Sequence, residues 1–212
     1  MDINVIQLAP LGANCVIVAG DRGRAVIVDP GGEPEKVIDF ITDKKFVPQQ
    51  ILLTHGHFDH VGGVAELQRH YKVPVYIHPN DNPILATAKE SNIYFGLDEF
   101  EMPENVEALA DGDIIPVENF DLRVIHTPGH TPGGVCFYIP DYNVLLSGDT
   151  LFYGSVGRTD LPYSNPTALV RSITKRLYAL PDDTVVISGH GEKTSIGFEA
   201  EHNAYVRRET DD

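Results

Sequence analysis

The stretch Ile51-Leu52-Leu53-Thr54-His55-Gly56-His57-Phe58-Asp59-His60 decides the reading of this chain. It opens on three aliphatic residues without a polar interruption, the mark of a short strand buried on both faces. Three imidazoles and a carboxylate follow within six residues. Placing so many polar heads beside a core strand is costly unless each finds a partner. Alternation along an extended segment sets His55 and His57 on one side. The turn into a helix beginning near Gly62-Gly63 swings Asp59 and His60 towards a second point. Imidazole nitrogen and carboxylate oxygen are the donors that zinc, iron and manganese share.

Outward from this stretch, the chain falls into two similar halves. Runs rich in Val, Ile and Leu at 3–8, 15–19 and 25–28 are separated by Gly-containing turns and predict strands. Residues 34–45 place Val37, Ile38 and Ile41 on one face of a helix. A helix at 63–71, a strand at 75–77 and a helix near 81–89 follow. Residues 91–105 set Asp98, Glu99, Glu101 and Glu104 among Tyr94, Phe95 and Phe100, and read as an irregular cap or a pair of short helical turns. The second half has strands at 114–117, 121–126, 134–139, 143–147 and 184–187, with helices at 166–178 and 196–206. Strand-rich halves, each covered by helices, predict two facing sheets with helices outside. One domain is expected over 1–212, with 209–212 a frayed tail.

Three more segments end strands in ligand-type residues: His130 in Thr127-Pro128-Gly129-His130, Asp149 in Ser147-Gly148-Asp149-Thr150, and His190 in Ser188-Gly189-His190. A preceding Gly permits the tight turn that aims each side chain back across the strand ends. Asp29, before Pro30-Gly31-Gly32, has two open readings: it orients a ligand loop from behind, or it only closes a turn. A lone His beside an apolar run is ordinarily a satisfied structural residue. His70, His78, His126 and His202 are assigned that role.

The sequence resembles the metallo-β-lactamase superfamily. Its HxHxDH motif is matched by His55, His57, Asp59 and His60, and the likeness runs from Gly12-Ala13-Asn14 through Val28-Asp29-Pro30-Gly31-Gly32 to Gly191. The resemblance implies an α/β four-layer αββα sandwich with two facing mixed sheets. It also implies two divalent metal ions, zinc first, with iron and manganese acceptable. One would take His55, His57 and His130; the other would take Asp59, His60 and His190; Asp149 would bridge them. All seven positions are filled.

Gly148-Asp149-Thr150-Leu151-Phe152 and Gly154-Ser155-Val156-Gly157-Arg158-Thr159-Asp160 resemble the small bacterial glyoxalase II-like branch. That likeness implies hydrolysis of an S-acylglutathione-type thioester by a metal-bridging hydroxide. Asp149 would be bridging ligand, and Asp59 would orient the water as well as bind metal. Arg158 would anchor a substrate carboxylate, with Tyr153, Tyr163 and Lys193 on the same rim. The alternative for Arg158 is an ion pair with Asp160 or another acid. Longer glyoxalase II enzymes grip glutathione with a C-terminal basic helical domain, which Arg207 and Arg208 do not reproduce, so either the substrate is held differently or it is not a glutathione thioester. The Gly-Arg-Thr-Asp run also resembles persulfide dioxygenases, whose mononuclear iron would use His55, His130 and Asp149.

Composition narrows the partners. Acids outnumber bases by 31 to 16, for a formal charge of −15, which argues against nucleic acid as the partner. No apolar run approaches the ~20 residues of a membrane span. With an acid at position 2 in place of a basic leader, the chain is expected to be cytoplasmic, which also argues against drug hydrolysis in a periplasm. Cys15 and Cys136 lie in apolar runs and are expected to be buried, reduced thiols. A small-molecule thioester is the expected partner, and oligomeric state is left open.

Overall fold

The structure, a computed structural model, describes residues 1–208; the tail expected at 209–212 lies outside them. The first sheet runs in the order β1 (Asp2–Leu8), β2 (Ala13–Ala19), β3 (Arg24–Val28), β4 (Val47–Leu52), β5 (Val75–Ile77), β6 (Val106–Ala108). Its first three strands pair antiparallel and its last four parallel. The second half contributes β7 (Ile114–Val117), β8 (Phe120–His126), β9 (Val135–Ile139), β10 (Val144–Gly148), a hairpin of β11 (Leu151–Phe152) and β12 (Ser155–Val156), β13 (Val185–Ser188) and β14 (Thr194–Ser195). The second sheet runs β14-β13-β10-β9-β8-β7 and is also mixed, with β10 and β13 parallel.

The continuous apolar runs have a simple cause: each central strand feeds two cores. Val16, Val18, Val26 and Val28 point between the sheets, where they meet Leu122, Val124, Phe137 and Ile139. Their neighbours Ile17, Ala19, Ala25 and Ile27 point outward to Val37, Ile41, Val64 and Leu67 of the covering helices. On the far side, Cys136, Tyr138, Leu145 and Val186 pack against Leu169, Ile173, Leu177 and Ile196. The period-2 alternation of side chains thus builds three apolar layers between four structural ones, the expected αββα sandwich.

Several elements differ from their expected bounds. The helix near 81–89 is two pieces, Asn82–Ala86 and Ala88–Tyr94, so 91–94 is helical. The 166–178 helix is α-helical over Pro166–Ser172 and widens to a π-turn over Ile173–Leu177. Leu177 and Tyr178 then both face the core, and the Tyr178 hydroxyl donates to the carbonyls of Glu199 and Val206. The last helix stops at His202 because Asn203 turns extended, its Oδ1 accepting from the amides of Tyr205 and Val206. The short pairs β11–β12 and β6 were missed, since two or three residues carry no readable period. Among the described residues no helix is long and apolar enough to cross a membrane.

Candidate metal centre

Strand β4 delivers the HxHxDH stretch to the mouth between the sheets. His57 is still extended (ψ 149°), and Phe58–Val61 then forms one helical turn. That switch parts the four residues as expected. Ligand-type atoms of His55, His57 and His130 lie within 4.8 Å of one another, and so do those of Asp59, His60 and His190. His57 Nδ1 meets His130 Nε2 at 3.0 Å, and His190 Nε2 meets Asp59 Oδ2 at 3.1 Å.

Asp149, at the end of β10, stands between the groups. Its Oδ1 is 3.5 Å from His60 Nε2, and its Oδ2 is 3.6 Å from His130 Nε2 and 3.8 Å from His190 Nε2. Gly189 makes this approach possible, since a Cβ there would collide with Asp149 Oδ1 and His60 Cε1. The loop carrying His190 is tied to the first sheet by Asn14: its amide donates to Gly189 O at 2.7 Å, and its side-chain nitrogen donates to Ser188 O and Gly191 O.

The ring orientations follow from partners behind the site. His60 Nδ1–H donates to Asp29 Oδ2 at 3.0 Å, which leaves Nε2 facing the acids. Thr54 donates its hydroxyl to the same Asp29 oxygen, so its Oγ1 accepts from His55 Nδ1–H at 3.0 Å, and His55 Nε2 faces inward. His130 Nδ1–H donates to the Arg158 carbonyl at 2.8 Å. Asp29 therefore takes the orienting role. Although its carboxylate lies close to His55 and His60, it is engaged by the Thr54 amide, the Thr54 hydroxyl and His60.

These residues fit a cation. His55 Nε2, His60 Nε2 and Asp149 Oδ1 are buried without a hydrogen-bond partner, and each such orphan costs about 1–3 kcal/mol. Burial, then the neighbouring imidazoles, hold His55 well below its ordinary pKa of 6.5. Burial, with His130 next to it, lowers His57 to about 3. Burial opposes a charge on His60 too, but Asp149, Asp59 and Asp29 outweigh it and push its pKa up to about 10. Burial raises Asp59, yet His60 and His190 pull it below the usual carboxylate range. Neutral His55 and His57, beside a His60 that the crowded carboxylates hold protonated, make a place that demands positive charge.

The rim residues are less gathered. The Arg158 guanidinium forks onto Asp160 with two contacts of 2.8 Å and is mostly exposed, although its charge is felt at His57. Tyr153 is exposed and stacks on Phe198 at 5.2 Å. Tyr163 is exposed on a left-handed backbone (φ 68°). Lys193 lines a separate cavity of about 660 Å³ with Gln7, Asn14, Lys36 and Glu192, a cavity to which the other three contribute nothing. His78 and His126 stack on each other, and His202 contacts Phe198 O. Cys15 and Cys136 are buried and free.

Two buried acids escaped the sequence reading. Glu199, fully buried, receives Gly154 N, Thr194 Oγ1 and Asn203 Nδ2, and so anchors the β11–β12 hairpin. Asp81 receives Gly56 N and Gly133 N. Its side chain does not cap the helix it precedes.

The family model of the metallo-β-lactamase superfamily matches residues 8–190. The chain is 35% identical over 214 residues to the hydroxyacylglutathione hydrolase GloC of Haemophilus influenzae, covering 97% of this chain and 98% of that one. It is similar to the crystal structure of BLEG-1 B3 metallo-β-lactamase (TM-score 0.89, 37% identity, 97% and 99% covered). It is also similar to TTHA1623 in a di-iron-bound form (TM-score 0.88, 43% identity, 96% and 100% covered). With its motif, its sheets and its convergent His and Asp side chains all of one pattern, the chain belongs to the metallo-β-lactamase superfamily.

Proposed function

We propose that this protein is a glyoxalase II-like thioesterase that hydrolyses S-acylglutathione-type thioesters at a binuclear centre. The observation that carries the reading is the position of Asp149, within 3.5–3.8 Å of imidazoles in both groups. His55, His57 and His130 would hold one divalent ion, Asp59, His60 and His190 the other, and Asp149 both. Zinc suits this nitrogen and oxygen set, as do iron and manganese. Bound there, the ions would supply acidified water and a Lewis acid for the thioester carbonyl.

The chain's own residues do the rest. Asp59, whose Oδ2 lies 3.1 Å from His190 Nε2, would orient the attacking water. Arg158, on the loop after the hairpin, attracts a substrate carboxylate in competition with Asp160. The kinship with GloC supports the substrate class, and the charge of −15 supports a small-molecule substrate over nucleic acid. On this reading the protein works in the cytoplasm.

The test is metal content of protein purified without added metal, together with thiol release from S-lactoylglutathione. About two metals per chain with thiol release is expected, and Asp149→Ala should lose both. Oxygen uptake with glutathione persulfide at one iron per chain would replace this reading with the dioxygenase. Rapid hydrolysis of a chromogenic cephalosporin without thioesterase activity would replace it with β-lactam hydrolysis.

A further inference from the structure

Asp81 is fully buried at the end of the turn that follows β5. Its two carboxylate oxygens go to two different loops. Oδ2 accepts from the amide of Gly56, between His55 and His57, at 2.9 Å. Oδ1 accepts a short hydrogen bond from the amide of Gly133, three residues beyond His130. These partners are 25 and 52 residues away in sequence.

Both donors are glycines for the same reason. A Cβ on Gly133 would lie 2.7 Å from Asp81 Oδ1 and 2.6 Å from its amide, and one on Gly56 would lie 3.1 Å from Asp81 O and 2.8 Å from Leu85 N. Backbone must approach this turn closely from both sides. A second contact docks the turn on the His130 loop: His78 stacks on His126 at 4.1 Å and 4°, and His126 Nε2–H donates to Pro132 O at 2.9 Å. A buried carboxylate is tolerated only where donors meet it. Here burial pushes its pKa up, against the pull of the Thr131 hydroxyl and of these amides.

We propose that Asp81 is a positioning residue that clamps the His55–His57 loop to the His130 loop and so sets the spacing of these three imidazoles. The 3.0 Å between His57 Nδ1 and His130 Nε2 is held by backbone on both sides pinned to one carboxylate. Unlike Asp29, Asp81 hydrogen-bonds to no imidazole, and it reaches the ligands through the two loops it holds, with its charge also felt by His130. An amide in its place presents one acceptor and one donor, so it can hold one loop but meets the other N–H with an N–H. This inference rests on the reading of His55, His57 and His130 as metal ligands.

The experiment is titration of metal-free protein with cobalt(II), reading affinity by competition with a chelator and ligand geometry from the visible d–d bands. Wild type is compared with Asp81→Asn, Asp81→Ala, Gly133→Ala and a core control, Leu67→Ala. Outer partners of metal ligands are typically worth 10–100-fold in affinity. The two Asp81 variants and Gly133→Ala should lose about that much and show shifted bands. Leu67→Ala should melt earlier with wild-type affinity and bands. If Asp81→Ala does not fold, Asp81→Asn and Gly133→Ala decide the matter. Wild-type affinity and spectrum in both, or an equal loss in Leu67→Ala, would overturn the clamp while leaving the metal reading intact. A wild-type protein that takes up no cobalt would overturn the metal reading and the clamp with it.

Discussion

Oδ2 of Asp29 lies 3.0 Å from Nδ1 of His60, and the same oxygen accepts the Thr54 hydroxyl whose own oxygen faces Nδ1 of His55. One carboxylate therefore orients an imidazole in each group, one directly and one through a hydroxyl. Neither ring can flip without stranding a buried donor.

Replacing Asp29 with Ala should accordingly reach both metals. It leaves the Thr54 amide and His60 Nδ1 without an acceptor, each costing about 1–3 kcal/mol, so urea denaturation of the metal-free protein should show a loss of ~2–5 kcal/mol. Metal affinity should fall about 10–100-fold, read by chelator competition. A variant that unfolds early but binds both metals normally would contradict the orienting role.

Arg158 holds His130 with its backbone carbonyl and leaves its side chain at the rim. Arg158→Ala should keep full metal content. With a thioester bearing a free carboxylate, KM should rise about 5–30-fold, the equivalent of ~1–2 kcal/mol for a charged hydrogen bond partly screened by water, with kcat little changed. An equal KM rise with an uncharged thioester would argue against carboxylate recognition.

The metal-free protein should be most stable near pH 6.5. His60, raised to about 10 when folded, contributes stability present below its ordinary 6.5 and lost as pH climbs towards 10. His57, lowered to about 3, and His55, also lowered, work in the opposite direction. The unfolded chain takes protons there that the folded one refuses, so stability falls as pH drops from 6.5. A metal occupying His60 Nε2 displaces its proton, so the alkaline decline should vanish in the metal-loaded protein. Thermal midpoints from pH 5 to 10, with and without metal, measure both slopes.

Phe95 packs on Phe58 at 5.4 Å, whereas Tyr94 is 87% exposed. An aromatic contact of this kind is worth about 0.5–1.5 kcal/mol. If residues 91–105 cap the site, Phe95→Ala should raise KM roughly 2–10-fold, while Tyr94→Ala should leave it unchanged. Steady-state kinetics of the two variants side by side would separate a cap from a surface helix.

Much of this was written locally. The αββα layers follow from strands such as Val16–Val18 and Val26–Val28, whose alternate side chains must be buried on both faces wherever they lie. The gathering of His55, His57, Asp59 and His60 follows from a strand that turns into a helix within one motif, and the Gly-preceded His130, Asp149 and His190 end strands in the same way. Pairings between distant segments were decided only by the tertiary structure. Asp29 stood undecided between a turn and an orienting role until His60, 31 residues on, was folded against it. Asp81 carries no readable role until Gly56 and Gly133 reach it, and Arg158 stood open between a substrate anchor and an ion pair until Asp160 closed on it. The physical reason is the same in each case. A hydrophobic period and a ligand motif record the needs of a residue's own segment, whereas a buried carboxylate is satisfied by whichever donors the packed sheets bring within 3 Å, and no local pattern names them.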